Sequence, residues 1–259
     1  MNCKFCNQLF NEDEDTNLRN YLNHLQLNQC KKNIMNKFIN DINNINICNY
    51  GSNTQLTSKE HEHKVYEIIK KQFFCKEINN KEFRKFIKKN NYEWCNFKES
   101  TLIRSCPPYI KIINNNLNLI KGQNYIINQP SGGQNFPDIC LISLDEYDNL
   151  QLSYIECKQK IPKFNNNPPK MNKNCIYICG NEIYNGFLLT TKDWQNRKNN
   201  FISKYNLLAK EHSSDDMIIV PYKVIELKWI EDKGSQCFIE RKEQNLPLIN
   251  ECFSRFLVN

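Results

Sequence analysis

Apolar residues fall along this chain in two spacings, one helical and one extended, and together they predict an alternation of helices and strands. After Thr57-Ser58-Lys59-Glu60, which offers a helix N-cap and an early acidic residue, Val65, Ile68, Ile69 and Phe73 make one apolar face. Met35 to Ile42 reads as a short helix, Lys81 to Lys89 as a basic amphipathic one, and Asp193 to His212 as a long one with apolar Trp194, Phe201, Tyr205 and Leu208. Short apolar runs predict strands at Tyr125–Ile127, Ile139–Leu144, Leu152–Lys158, Cys175–Cys179, Phe187–Thr191, Met217–Val220 and Lys223–Ile230. Cys106-Pro107-Pro108 breaks the chain, and the turn-like Asp145 to Asn149 doubles it back. The order predicts an α/β (α+β) fold, a mixed central sheet flanked by helices.

Charge interrupts two of these strands where a buried strand should be bland. Asp138 opens the run Ile-Cys-Leu-Ile-Ser-Leu, and Glu156 and Lys158 close Leu-Ser-Tyr-Ile. Side chains on a strand alternate between faces, so Glu156 and Lys158 point the same way. The turn between the two runs brings Asp138 alongside them. Two convergent carboxylates suit a hard divalent cation such as magnesium. A cation so held activates water and neutralises charge on a phosphate, and a neighbouring lysine can orient the water or stabilise the developing oxyanion. The plain alternative is an ion pair at a strand end with Asp138 as a turn residue. Pro137 before Asp138, the hairpin-sized separation and the apolar strands on both sides favour a site.

These residues resemble the PD-(D/E)xK nuclease superfamily, and more narrowly Type II restriction endonucleases. Pro137-Asp138 matches the PD, and Glu156-Cys157-Lys158 matches the ExK; similarity extends over roughly positions 124 to 192, with the lead-in Ser131 to Phe136 and the tail Pro168 to Ile178. The resemblance implies a restriction-endonuclease-like fold and magnesium-dependent cleavage of double-stranded DNA. It implies Asp138 and Glu156 as metal ligands and Lys158 as the catalytic lysine. Cys157 should face the other way, into the core. A further acidic ligand often lies on the helix before the catalytic sheet; Glu62, on the edge of the apolar face, is the weak candidate, otherwise a solvated glutamate. His61 and His63 read as surface residues.

Composition narrows the class. With 259 residues and 40% hydrophobic content the chain can build a large domain with a small appendage. It has no run of eighteen or more apolar residues, and Met-Asn-Cys-Lys-Phe-Cys does not read as a signal peptide, so the expectation is a soluble, cytoplasmic protein. The thirteen cysteines are odd in number and mostly inside apolar runs, which favours reduced thiols; Cys48, Cys75, Cys140, Cys179 and Cys237 read as core. A formal charge of +7 is compatible with a phosphate-backbone partner.

The first thirty residues hold a second constellation: Cys3 and Cys6, then His24 after seventeen residues, then Cys30, with Phe10 and Tyr21 between. It resembles a C2HC variant of the two-Cys, two-His zinc finger, in which a structural zinc ion replaces a core too small to hold itself. The loop is longer than usual, and a cysteine is the last ligand. The module could dock on DNA through Arg19 or simply stabilise the N-terminus. The expected organisation is a zinc-finger-like module at 1–32, a linker with a short helix at 33–56 and the endonuclease domain at 57–259.

Other DNA contacts are expected near the site. Gly132-Gly133 permits close backbone approach, so Gln134 and Asn135 could touch DNA, and the Pro- and Asn-rich loop from Lys163 to Lys173 brings Lys163 and Lys170. The basic helix from Lys81 could track phosphates, or be only a solvated surface. The favoured function is a sequence-specific endonuclease acting as a homodimer, since symmetric cuts on a palindrome suit two-fold symmetry, possible partner of a cognate DNA methyltransferase. The competing readings are a non-catalytic zinc-finger nucleic-acid-binding protein and a repair or recombination nuclease of the same fold.

Overall fold

The computed structural model describes residues 29–45, 54–89, 109–111, 117–130, 136–159, 172–189 and 241–257, with scattered positions between 196 and 214. Four helices are delimited: α1 (Gln29–Asn43), α2 (Thr54–Gln72), α3 (Asn80–Lys89) and α4 (Asn245–Ser254). Among the described residues seven strands form one mixed sheet: β1 (Lys76–Glu77), β2 (Tyr109–Lys111), β3 (Tyr125–Asn128), β4 (Ile139–Leu144), β5 (Asn149–Lys158), β6 (Cys175–Cys179) and β7 (Glu182–Asn185). Six of them run in the order β1-β3-β4-β5-β6-β7. β2 pairs with the first three residues of β5, and β6 with the last five. β3–β4, β4–β5 and β6–β7 are antiparallel, whereas β5–β6 and β1–β3 are parallel.

Both faces of the sheet are covered, which explains why β4 and β6 are apolar at nearly every position. On one face Ile126, Ile139, Leu141, Ile155, Ile176 and Ile178 pack under α1, α2 and α4. Phe38 of α1, Phe73 at the end of α2 and Phe253 of α4 meet with ring centroids 4.9–5.2 Å apart and lock the three helices together. On the other face Tyr125, Ile127, Cys140, Ile142, Leu152, Tyr154 and Tyr177 pack with Phe83 of α3.

Asp145 shapes the β4–β5 hairpin. Its carboxylate accepts from the backbone N–H groups of Tyr147 (2.9 Å) and Asn149 (2.8 Å) and from the side chains of Asn149 (2.9 Å) and Gln151 (3.0 Å). Asp148 takes the left-handed conformation that closes the turn.

The structure corrects several expectations. The short helix expected at Met35 to Ile42 is longer, starting at Gln29 and ending at Asn43, and it buries Ile34, Met35, Phe38 and Ile42 in the main core. The strand expected at 187–191 is replaced by a 3-10 turn at Gly186–Leu188, capped by Asn185, whose side chain accepts from the Phe187 N–H at 3.0 Å. Arg241 takes up the Phe187 and Leu188 carbonyls. Leu208, expected on an apolar face, is 52% exposed. The strands expected at 217–230 lie outside the described residues. Cys75, Cys140 and Cys179 are buried as expected.

Candidate active site

The antiparallel register positions the charged residues. Ile139 of β4 pairs with Ile155 of β5. Asp138 immediately precedes Ile139 and Glu156 immediately follows Ile155, so strand alternation turns both away from the face that carries those two isoleucines. Glu156 and Lys158 continue the alternation of Leu152 and Tyr154, so both follow the side of β5 that carries that face's core. Beyond Tyr154 the packed apolar residues give way to charge, and the site lies at this end of the sheet. Cys157 points the other way, against the opposite core, as expected.

Packing holds the lead-in of Asp138. Pro137 is buried, the Phe136–Pro137 peptide bond is cis, and the Phe136 ring lies 6.3 Å from that of Tyr154 and 6.2 Å from that of Tyr177. The Asp138 carbonyl accepts from the Gln129 N–H at 2.6 Å. Its side chain is fixed as well: Oδ2 accepts the Cys157 N–H at 2.7 Å.

Glu156 and Lys158 form a short pair, Nζ to Oε1 at 2.6 Å, with the glutamate side chain 14% and the lysine 36% exposed. The other oxygen, Oε2, is buried without a hydrogen-bond partner among the described residues. A buried carboxylate oxygen with no donor is costly, and a cation relieves it.

Electrostatics point the same way. Burial, then the charge of Glu156, pushes the Asp138 carboxyl up to about 7, against the opposing pull of the Cys157 N–H and Lys158. Burial pulls Lys158 down, but the charge and hydrogen bond of Glu156 more than offset it, leaving the ammonium above its ordinary range. Glu62 on α2 is part of the same field. Burial raises its carboxyl, the Gln129 side chain donating to Oε1 at 3.1 Å lowers it, and Glu156 raises it again. The structure thus brings Glu62, the weakest of the acidic candidates, into electrostatic reach of Asp138 and Glu156.

Among the described residues, no three His, Cys, Asp or Glu side chains converge as a ready-made metal cage. Two carboxylates with one orphaned oxygen fit an ion that keeps several waters, as magnesium does. Asp138 and Glu156 are the residues that would hold it.

His61 departs from the surface position expected of it. It is 6% exposed, and Nε2 lies 2.6 Å from the Gly180 carbonyl, so Nε2 carries the proton and donates; Nδ1 is buried without a partner among the described residues. Gly180 in turn donates its N–H to the Lys158 carbonyl at 2.7 Å. His61, Val65 and Ile69 recur at intervals of four, and that spacing carried the signal of burial. Gln129 left no signal in the sequence. His63 is exposed, as expected.

Cys30 is 3% exposed in the first turn of α1, packed in the core under the helices. Cys3, Cys6, His24 and Arg19 lie outside the described residues, as do Gln134, Asn135, Lys163 and Lys170. No protein-family model matches the chain, and no curated protein or solved structure shows significant similarity to it.

Proposed function

We propose that the chain is a magnesium-dependent endonuclease that hydrolyses phosphodiester bonds of double-stranded DNA, in the manner of Type II restriction enzymes. One observation carries the reading: at one end of a buried sheet, Asp138 precedes and Glu156 follows the paired residues Ile139 and Ile155, Glu156 keeps one oxygen without a donor among the described residues, and Lys158 is bound to the other. An ion pair serving stability alone has no use for the second carboxylate or for the orphaned oxygen.

In this reading Asp138 and Glu156 hold magnesium, which when bound supplies charge neutralisation at the phosphate and a more acidic water. The Cys157 N–H fixes the Asp138 carboxylate, and Lys158 fixes Glu156. Held above its ordinary range, the Lys158 ammonium stays protonated at neutral pH. It therefore donates to an anionic oxygen of the attacked phosphate rather than abstracting a proton. Glu62, through Gln129, supports the site from α2. Sequence specificity, action as a homodimer and pairing with a cognate methyltransferase belong to the resemblance. Zinc held by Cys3, Cys6, His24 and Cys30 enters as a structural ion on ligand spacing alone.

The test is digestion of a sequenced plasmid by the purified chain with magnesium or EDTA, beside Asp138→Asn and Lys158→Ala. Discrete magnesium-dependent fragments, absent with either variant, are the expected result. A smear or structure-dependent nicking would favour the repair-type alternative, and no cleavage by folded protein would overturn the catalytic reading.

A further inference from the structure

The candidate site carries an electrostatic deficit. The acids Glu62, Asp138 and Glu156 outnumber the ammonium of Lys158, so the site itself offers a phosphate polymer little attraction. Attraction has to come from charge beside the site, and α3 supplies it. Lys81, Arg84 and Lys85 follow the i, i+3, i+4 spacing of one helix stripe. Lys81, Arg84 and Lys85 are exposed, while Phe83 is buried at 1% in the core beneath the sheet.

The helix is fixed against the site rather than merely solvated near it. Asn79 caps it, its side chain accepting from the Lys81 N–H at 2.8 Å. Arg84 reaches across to the chain that leads into the site: Nε donates to the Pro130 carbonyl at 2.5 Å and Nη2 to the Gln129 carbonyl at 3.2 Å. Gln129 is the residue that binds both Glu62 and the Asp138 carbonyl. One arginine of the stripe therefore touches the segment that touches two of the acids, and Lys81 and Lys85 lie on either side of it along the helix.

We propose that Lys81 and Lys85 hold the phosphate backbone of duplex DNA beside the cleaved bond, with Arg84 as the positioning residue that sets the helix against the site. The proposal rests on the nuclease reading for the place of the cut, and its partner follows from charge complementarity. Four residues of helix separate the two lysines by about 6 Å of rise, so they engage different phosphates.

The experiment measures binding of a random-sequence duplex by fluorescence anisotropy over a salt series. It uses the full chain carrying Asp138→Asn to prevent cutting, alone, with Lys81→Ala and Lys85→Ala together, and with Lys32→Ala and Lys121→Ala as a control of equal charge loss. Loss of two phosphate contacts lowers the slope of log affinity against log salt by about two and weakens binding at physiological salt by roughly tenfold or more, while the control keeps the parent slope. A slope equal to the control's overturns the proposal, as does failure of every variant to bind duplex, or a preference for single-stranded RNA. Plasmid cleavage by the unmodified chain is read separately. Cleavage with an unchanged slope removes this surface and keeps the nuclease, whereas a lowered slope without cleavage keeps the surface and removes the nuclease.

Discussion

The Oδ2 atom of Asp138 accepts the backbone N–H of Cys157 at 2.7 Å, so a residue ahead of β4 is tied to the main chain between the two charged residues of β5. The carboxylate is held in place before any ligand arrives, but it is held beside Glu156 in a partly buried position.

That placement gives Asp138 a testable pH signature. Its folded carboxyl titrates at about 7, above its ordinary value of 3.8, so the folded state binds the proton more tightly. The contribution is fully present below about pH 4 and is lost as pH rises through 7, by on the order of 2–4 kcal/mol. Asp138→Asn keeps the acceptor and removes the charge. In EDTA at pH 8 the variant should unfold at higher urea than the parent while losing cleavage. Parallel stability profiles from pH 5 to 8 would contradict the assignment.

Lys158→Met removes the donor from Glu156 Oε1 and leaves both of its oxygens short of partners. Because the lysine side chain is 36% exposed, the stability loss should be modest, about 1–2 kcal/mol. The single-turnover cleavage rate should fall by roughly 100-fold or more. A variant that is destabilised yet cleaves normally would reduce the pair to a structural one.

His61 pins α2 to the turn after β6. Burial depresses its pKa, so its contribution is present above the ordinary value of about 6.5 and is lost as pH falls. His61→Phe deprives the Gly180 carbonyl of its donor and should cost about 1–3 kcal/mol. His61→Gln, which can still donate, should recover part of the stability and of the cleavage rate and flatten the acid limb of the stability profile. Equal behaviour of the two variants would show that bulk alone matters.

Asp145 organises the hairpin at the opposite end from the site. Asp145→Ala removes its four accepted hydrogen bonds and should destabilise by about 1–2 kcal/mol, with little change in magnesium dependence. Burial opposes ionisation there, but the hydrogen bonds win and hold the carboxyl below its ordinary range, so the stabilisation is lost as pH falls through that lowered value. Unfolding at pH 3 and pH 7 checks it: the gap between parent and variant should shrink in acid.

The central strands were legible because covering both faces of a sheet demands continuous apolar runs, as in Ile139–Leu144 and Cys175–Cys179. Asp138, Glu156 and Lys158 stood out because ionised groups on such strands are costly. The edges were not legible. β7 reads Glu-Ile-Tyr-Asn, half polar, and β1 and β2 are only two and three residues long. The Phe187-Leu188-Leu189 run is as apolar as a strand, yet its backbone is decided by the Asn185 cap and by Arg241. α4 carries Leu248, Ile249, Cys252 and Phe253 at helical spacing, with Pro247 tolerated in its first turn. The roles of His61, Gln129 and Arg84 arise from contacts between segments far apart in the chain, which no local pattern encodes.

The ring contacts of Phe136 bear on more than packing. Phe136 lies two residues before Asp138, and Tyr154, which it meets, lies two residues before Glu156. The two acids are thus referenced to one aromatic joint, so a shift of β4 against β5 must first unseat that joint before the carboxylates can separate. A spacing clamped in this way acts as a gauge. In the proposed nuclease reading, an ion that needs longer bonds or more oxygens would find it harder to widen, and selectivity between magnesium and calcium would depend on an aromatic contact outside the coordination sphere.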